Sequence, residues 1–365
     1  MRLLFLHTGS DWAGTARAFA AAAKGLAARG HQASFACMAG SVVEARANRE
    51  QLDVIPLAPG SSGARDAWRM RGVLQERTRD AVFVHTEREQ LVVSSAVRIT
   101  SPSRVIRRIS AGAAFLDGRA SRIASRMAAA TALFNSEQER RNAVNAGLAV
   151  PSAVAPLGVD VAAYDDVRPA TRESINAPSQ SRLVVCVFEP TARARISVVL
   201  RTMAQLAPRH PELRLAVVGP GSDDENLRMH AAALGITNVI SFLGEREDEL
   251  AVLASADVGW VAANCDAAAF AYMDLMALRI PLIAEREPLA QHYVADGITG
   301  VLIPQSDAPE TAALVATFLA KGDQRAAMGN AARARVAREF PESAMTEAFE
   351  RATAAAGARP EPALR

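Results

Sequence analysis

The feature that most constrains this chain is a unit of strand, glycine-bearing loop, helix and strand at its start, with a second alternating series further on. Leu3–Leu6 is a short apolar run, and a loop with Gly9, Ser10 and Gly14 follows it. Ala16–Arg29 is built of good helix formers and stops at Gly30. A second apolar run covers Gln32–Cys37. Strands joined through a helix lie parallel in one sheet. Further strands are expected at 54–57, 81–85, 105–109 and 132–135. Their apolar residues do not alternate, which suits strands buried on both faces. A second series starts at residue 182, with strands at 182–187, 213–218, 239–243, 257–261, 282–284 and 301–303. Helices are expected at 194–206, 224–234, 248–255, 268–278, 307–320 and 324–340, and one more runs from Pro341 to about Ala355. The fold class is α/β, with two doubly wound halves facing a cleft. Ligands of such sheets sit outside the carboxyl ends of the strands, where the strand order reverses.

The 365 residues are enough for two domains. The expected boundaries are 1–163 for the first and 182–340 for the second. The polar, Pro- and Ser-containing stretch 164–181 reads as a linker, and 341–365 as a terminal helix and loose tail that crosses back to the first domain. Charge divides the same way. Residues 1–160 hold 21 basic and 13 acidic residues, a net +8, and the remainder holds 20 and 26, a net −6. No apolar run is long enough to span a bilayer, and the first residues are too short a stretch for a signal peptide, so a cytoplasmic location is expected. Cys37, Cys186 and Cys265 lie far apart and make neither a disulfide framework nor a metal-ligand spacing. No metal site and no cofactor are expected.

Several residues could carry chemistry. Gly9 and Gly14 precede a helix whose first amides could meet an anion, although a plain loop serves as well. Gly219 and Gly221 end a strand as a lone G-x-G, which fits either a phosphate contact or a turn. Asp266 and Asp274 are eight apart, with Asp266 at the N-cap of a helix beginning near Ala268. His85 ends a strand and is either a ligand contact or a hydrogen-bonded structural residue. Arg193 and Arg195 follow a strand end, where a cation could neutralise a diphosphate. Arg104, Arg107, Arg108, Arg119, Arg122 and Arg126 fall in one stretch whose only acid is Asp117. That run is either a solvated face or a peripheral surface for anionic lipid headgroups or an anionic acceptor. It lacks interleaved aromatics, so nucleic acid is not the expected partner.

Seven segments in order resemble the family 4 glycosyltransferases of the GT-B fold. Gly14-Thr15-Ala16-Arg17 with Leu26-Ala27-Ala28-Arg29-Gly30-His31 resembles the family's opening. Val82-Phe83-Val84-His85, Asn135-Ser136-Glu137 and Pro156-Leu157-Gly158-Val159-Asp160 resemble its next three segments. The second half supplies Val217-Val218-Gly219-Pro220-Gly221, then Phe242-Leu243-Gly244 with Ala256-Asp257-Val258, and finally Asp296-Gly297-Ile298-Thr299-Gly300. The resemblance implies a retaining, metal-independent transfer of a sugar from a nucleotide-activated donor to an acceptor. It implies donor binding on the second domain, through Asp274, Gly219, Gly221, Ala267, Ala268 and Phe270, with Gly9 and Gly14 contributing. Asp266, Arg193, Arg195 and His85 would be catalytic.

The departures fall on the family's most functional positions. Its E-x7-E pair is Asp266 and Asp274 here, with Ala267 and Ala269 where glycines are usual. Arg279 replaces the glycine of A-x-G-x-P, Ala194-Arg195 stands for Lys-Gly, and Leu289-Ala290-Gln291-His292 for G-G-x-x-E. Two readings follow: an active transferase with an altered donor pocket, or a non-catalytic homologue acting as a binding or scaffolding subunit. A GT-B phosphorylase is disfavoured, because neither Lys24 nor Lys321 sits where a Schiff-base lysine would.

Overall fold

A computed structural model describes residues 1–355 except 11, 13, 59–62, 101–102, 112–118, 191–192 and 305–308. The chain divides into two compact units, Met1–Leu157 with Glu342–Arg365 and Gly158–Pro341.

In the first unit the order is β1 (Arg2–His7), α1 (Thr15–Ala28), β2 (Gln32–Met38), α2 (Val42–Arg49), β3 (Asp53–Leu57), α3 (Gly63–Glu76), β4 (Ala81–Val84), α4 (Glu87–Thr100), β5 (Arg104–Arg108), α5 (Arg119–Met127), β6 (Ala130–Phe134), α6 (Glu137–Asn145) and β7 (Ser152–Val154). All seven strands are parallel, in the order β3-β2-β1-β4-β5-β6-β7, so the order reverses between β1 and β4. The second unit runs β8 (Arg182–Phe188), α7 (Arg193–Leu206), β9 (Leu213–Val218), α8 (Glu225–Ala233), β10 (Ile240–Gly244), α9 (Glu249–Ala254), β11 (Val258–Ala262), α10 (Asp266–Ala277), β12 (Leu282–Glu285), α11 (Pro288–Tyr293), β13 (Gly300–Ile303), α12 (Pro309–Ala320) and α13 (Gly322–Glu339). Its parallel order is β10-β9-β8-β11-β12-β13, reversing between β8 and β11.

The last helix, α14 (Glu342–Ala355), belongs to the first unit. Phe5, Phe19 and Phe83 form an aromatic cluster, with Phe5 stacked on Phe83 at 4.6 Å, and Phe349 of α14 lies 5.3 Å from Phe83. Such ring pairs add to the burial of four large apolar groups. Arg29 reaches Glu347 and Glu350 at 2.9 and 2.8 Å. Gly25 lies inside α1 because a Cβ there would stand 2.3 Å from Thr346 Oγ1. The missing side chain lets the two helices touch.

The segment read as a linker, 164–181, is instead anchored within the second unit. Tyr164 and Ile175 are buried, Ala170 N donates to Ala251 O at 2.8 Å, and Arg172 pairs with Asp257 at 3.1 Å. Its Pro and Ser residues mark irregular backbone, not an absence of contacts. The expected loose tail, 357–365, lies outside the described residues.

The arginine run is also not one surface. Arg107 and Arg108 are β5 residues turned inward, and Arg108 is almost wholly buried. Arg104 donates to Thr353 O at 2.9 Å. Arg119, Arg122 and Arg126 of α5 remain exposed, beside an exposed Ile123, while Asp117 lies outside the described residues.

Candidate functional site

At the carboxyl edge of the first sheet, the reversal between β1 and β4 places Thr8 and His85 just past adjacent strand ends. One side chain that sequence reasoning missed holds both. Glu89 of α4 is 3% exposed. Its Oε1 accepts from Thr8 N at 2.8 Å and Thr8 Oγ1 at 2.7 Å, and its Oε2 from His85 N at 2.8 Å and Thr86 N at 3.0 Å. Thr86 Oγ1 accepts from Glu89 N in return, which makes a capping box for α4. The signal was present as Thr86-x-x-Glu89. A carboxylate receiving several amide donors is held firmly, because each charge-assisted bond is stronger than a neutral one. The His85 ring is half-buried, with Nδ1 3.3 Å from Thr15 Oγ1 and Nε2 3.4 Å from Ser110 Oγ. Arg107 Nε donates to the His85 carbonyl at 3.4 Å. The imidazole is therefore positioned by hydroxyls and carries no carboxylate partner in these bonds.

Gly9 is half-buried in the loop after β1, and Gly14, at φ 54°, is the N-cap of α1. A positive φ explains that glycine without a ligand.

In the second unit the reversal between β8 and β11 brings the starts of α7 and α10 to neighbouring strand ends. Amides at helix starts favour anions. Asp266 is the first residue of α10, not its N-cap; Cys265 takes that position in extended conformation. Asp266 is 2% exposed, and a carboxylate there complements the helix dipole. Asp274, two turns on, is 4% exposed and accepts a short hydrogen bond from Tyr164 Oη. Ala268 and Phe270 are buried, and Ala267 is partly exposed.

Arg195, in the first turn of α7, is already engaged. Its guanidinium lies 3.0 Å from Glu285 Oε2 and 2.5 Å from Glu287 Oε2. Both glutamates are nearly buried, and burial raises both carboxyl pKa values against the opposing pull of Arg195. Glu287 Oε1 is buried with no hydrogen-bond partner. The intervening Arg286 turns the other way, to Asp296 at 2.5 Å. Sequence reasoning missed Glu285 and Glu287. The only signal was their E-x-E spacing at a strand end, since alternate residues of an extended chain share a face. Burial pushes the Tyr272 hydroxyl far up, with Glu287 next to contribute. Arg193 opens α7, and its side chain lies outside the description.

Gly219 has φ 122°, and a Cβ there would stand 2.2 Å from Phe188 O; Gly221 has φ 68°. Close packing of the β9 turn on β8 therefore requires Gly219 with or without a ligand. Arg279, where the family pattern has glycine, keeps a left-handed backbone at φ 61°. Burial raises the Cys37 and Cys265 thiols to about 11, so neither is a ready nucleophile. Among the described residues no cluster of His, Cys, Asp and Glu could hold a metal ion, and no helix is long and apolar enough to cross a membrane.

Residues 167–335 match the family model described as Glycosyl transferases group 1. A GDP-mannose-dependent monoacylated alpha-(1-6)-phosphatidylinositol monomannoside mannosyltransferase of Corynebacterium glutamicum is 27% identical over 205 residues, 53% of this chain and 53% of that protein. A D-inositol 3-phosphate glycosyltransferase of Corynebacterium jeikeium is 27% identical over 232 residues, 60% of this chain and 55% of that protein. The match thus spans about half the length of these curated relatives. Among solved structures, Anabaena Alr3699/HepE in complex with UDP and glucose is similar with a TM-score of 0.80 at 17% identity, covering 97% of this chain and 100% of that one. WaaG, a glycosyltransferase involved in lipopolysaccharide biosynthesis, gives 0.68 at 15% identity, with 98% and 100% covered. The chain therefore has the fold of the GT-B glycosyltransferases, and its residues 167–335 match the glycosyl transferases group 1 model.

Proposed function

We propose that this chain is a glycosyltransferase that moves a sugar from a nucleotide-activated donor to an acceptor hydroxyl, with retention at the anomeric carbon and without a metal. The observation that carries the reading is the group 1 match over residues 167–335, which includes the helix starts at the β8–β11 reversal. In this reaction the bond from the anomeric carbon to the diphosphate breaks. A bond to the acceptor oxygen forms, and the proton of that hydroxyl passes to the departing diphosphate oxygen. Asp266 and the first amides of α10 receive sugar hydroxyls, and Asp274 serves the ribose once Tyr164 yields its bond. Arg193 and Arg195 stabilise the leaving diphosphate, and Gly219 and Gly221 present backbone to it. His85 serves the acceptor side of the reaction on the first unit, where Gly9 and Gly14 line the loop.

One relative is named as GDP-mannose-dependent, and one structural neighbour is in complex with UDP and glucose, so the nucleotide is open between them. The test is therefore thermal unfolding of the whole protein against a panel of nucleotides and nucleotide sugars. A ligand at about 100 times its dissociation constant stabilises the native state by roughly 2.7 kcal/mol. A shift with one nucleotide class, followed by transfer from that donor and NMR of the product's anomeric configuration, tests the whole reading.

A second reading, a non-catalytic homologue that acts as a binding or scaffolding subunit for another partner, is favoured by one observation. Arg195 is held between Glu285 and Glu287, so a diphosphate must compete with two carboxylates for it. No shift with any nucleotide, from a folded sample, selects this reading and rejects the first. The part of the arginine run open to anionic lipid is Arg119, Arg122 and Arg126 of α5, because their neighbours in the run are turned into the unit.

A further inference from the structure

The first unit holds a cavity that the transfer reading does not use. It lies at the amino ends of β1, β2 and β3, whereas His85 and Thr8 lie at the carboxyl edge. The two sites are separated by the length of a six-residue strand, roughly 17–20 Å. The cavity has a volume of about 580 Å³, within the usual range for small-molecule sites.

Its charged lining comprises Arg2, Lys24, Arg77, Arg79 and Asp53, with His31 at one wall; Lys24 pairs with Glu50 and His31 with Glu350, each at 2.8 Å, which leaves the three arginines around Asp53. Arg79 is 4% exposed. Its Nη1 donates to Ser34 Oγ at 2.8 Å and to Leu3 O at 3.4 Å, but its buried Nε has no hydrogen-bond partner. Ser34 donates to Asp53 Oδ2 at 2.6 Å, and Arg77 reaches the same oxygen at 3.2 Å. One carboxylate thus serves Arg77 directly and Arg79 only through the Ser34 hydroxyl. Burial first, and then the guanidinium of Arg77, lowers the Arg79 pKa; Asp53 opposes them and Arg2 adds to the lowering. An arginine does not shed its proton to relieve such crowding. An anion can relieve it, by bridging guanidiniums through paired acceptor oxygens. The site also accounts for part of the positive charge concentrated in the first half of the sequence.

We propose that this cavity binds a phosphate-bearing ligand, the size of a sugar phosphate or nucleotide when soluble, at a place separate from the carboxyl edge of the sheet.

The experiment is hydrogen exchange on the full chain with inorganic pyrophosphate at constant ionic strength, and separately with vesicles of phosphatidylcholine, with and without phosphatidylglycerol. The proposal expects protection at 23–34, 50–53 and 77–80. It expects at least about tenfold weaker binding in the Arg2→Ala, Arg77→Ala double variant, because two cationic partners of the anion are lost. Both substitutions are at exposed side chains, and an unchanged ligand-free melting curve establishes that the variant folds. Protection of these segments by pyrophosphate supports a soluble phosphate ligand. Protection only by the phosphatidylglycerol vesicles assigns the same chemistry to a lipid headgroup. Protection confined to 189–195 and 219–222 places the anion on the second unit and overturns the proposal without touching the transferase reading. No protection with either probe overturns it as well.

Discussion

The carboxyl edges of the two sheets use buried carboxylates in opposite ways. In the first unit Glu89 is satisfied by neutral donors, three backbone amides and a hydroxyl, and stitches the loops after β1 and β4 together. The imidazole it positions keeps its own valences for hydroxyl partners. In the second unit Glu285 and Glu287 pair with a cation, with Glu287 Oε1 left unpartnered, and that cation is one of the two arginines that the family resemblance assigns to the donor's diphosphate. The same doubly wound architecture therefore frees a candidate group at one edge and restrains one at the other. A carboxylate that caps a loop prepares a site, whereas a carboxylate that pairs with the site's cation competes with the ligand.

The largest effect is expected from Arg195→Met. It leaves two buried carboxylates without their cation, and breaking a buried pair costs about 3–5 kcal/mol. The unfolding transition of the second unit, followed by denaturant titration with hydrogen exchange assigning the unit, should fall by that amount. An unchanged transition would remove the electrostatic half of the comparison. Glu89→Ala comes next, at about 2–3 kcal/mol, because several donors lose one acceptor and some of them regain water. Hydrogen exchange at Thr8, His85 and Thr86 should accelerate together; if His85 alone responds, Glu89 is not a shared anchor.

The glutamates sharpen the comparison through pH. The folded pKa of Glu287 lies above its ordinary value of 4.5, so the native state holds more protons than the unfolded state in the window just above 4.5. The stability associated with that proton is present below the window and is lost as pH rises through it. Wild type should therefore lose stability relative to Glu287→Gln as pH increases there, and a flat difference would contradict the buried placement. The same variant should bind nucleoside diphosphate more tightly, because one competitor for Arg195 is gone. The smallest effect is a gain. Arg279→Gly relieves a left-handed backbone at φ 61° and should stabilise the second unit by about 1 kcal/mol.

The sheets were legible from the sequence because their strands are short apolar runs punctuated by glycine and helix formers. Leu213–Val218 matches the expected span, and most other strands shift by a residue or two. β7 and α11 escaped because three partly buried residues and a single helical turn leave little pattern. The anchoring of 164–181 was not legible, since Tyr164 meets Asp274 across 110 residues and composition reports only local conformation. The site divides along the same line. Glu89 was readable as a capping box from four consecutive residues. Glu285 and Glu287 were not, because what makes them matter is an arginine about 90 residues away.

The return of α14 to the first unit sets an order of events during synthesis. Residues 158–341 are contiguous, so the second unit is complete as soon as its own stretch has left the ribosome. The first unit is made earlier but finished later: Phe5 and Phe83 wait for Phe349, the last member of their cluster. Until then its apolar face and the groove along Gly25 stay uncovered, and a chain stopped short of α14 retains that exposed surface. Closure of the first unit thus depends on α14, a helix far in sequence from every residue proposed to do chemistry.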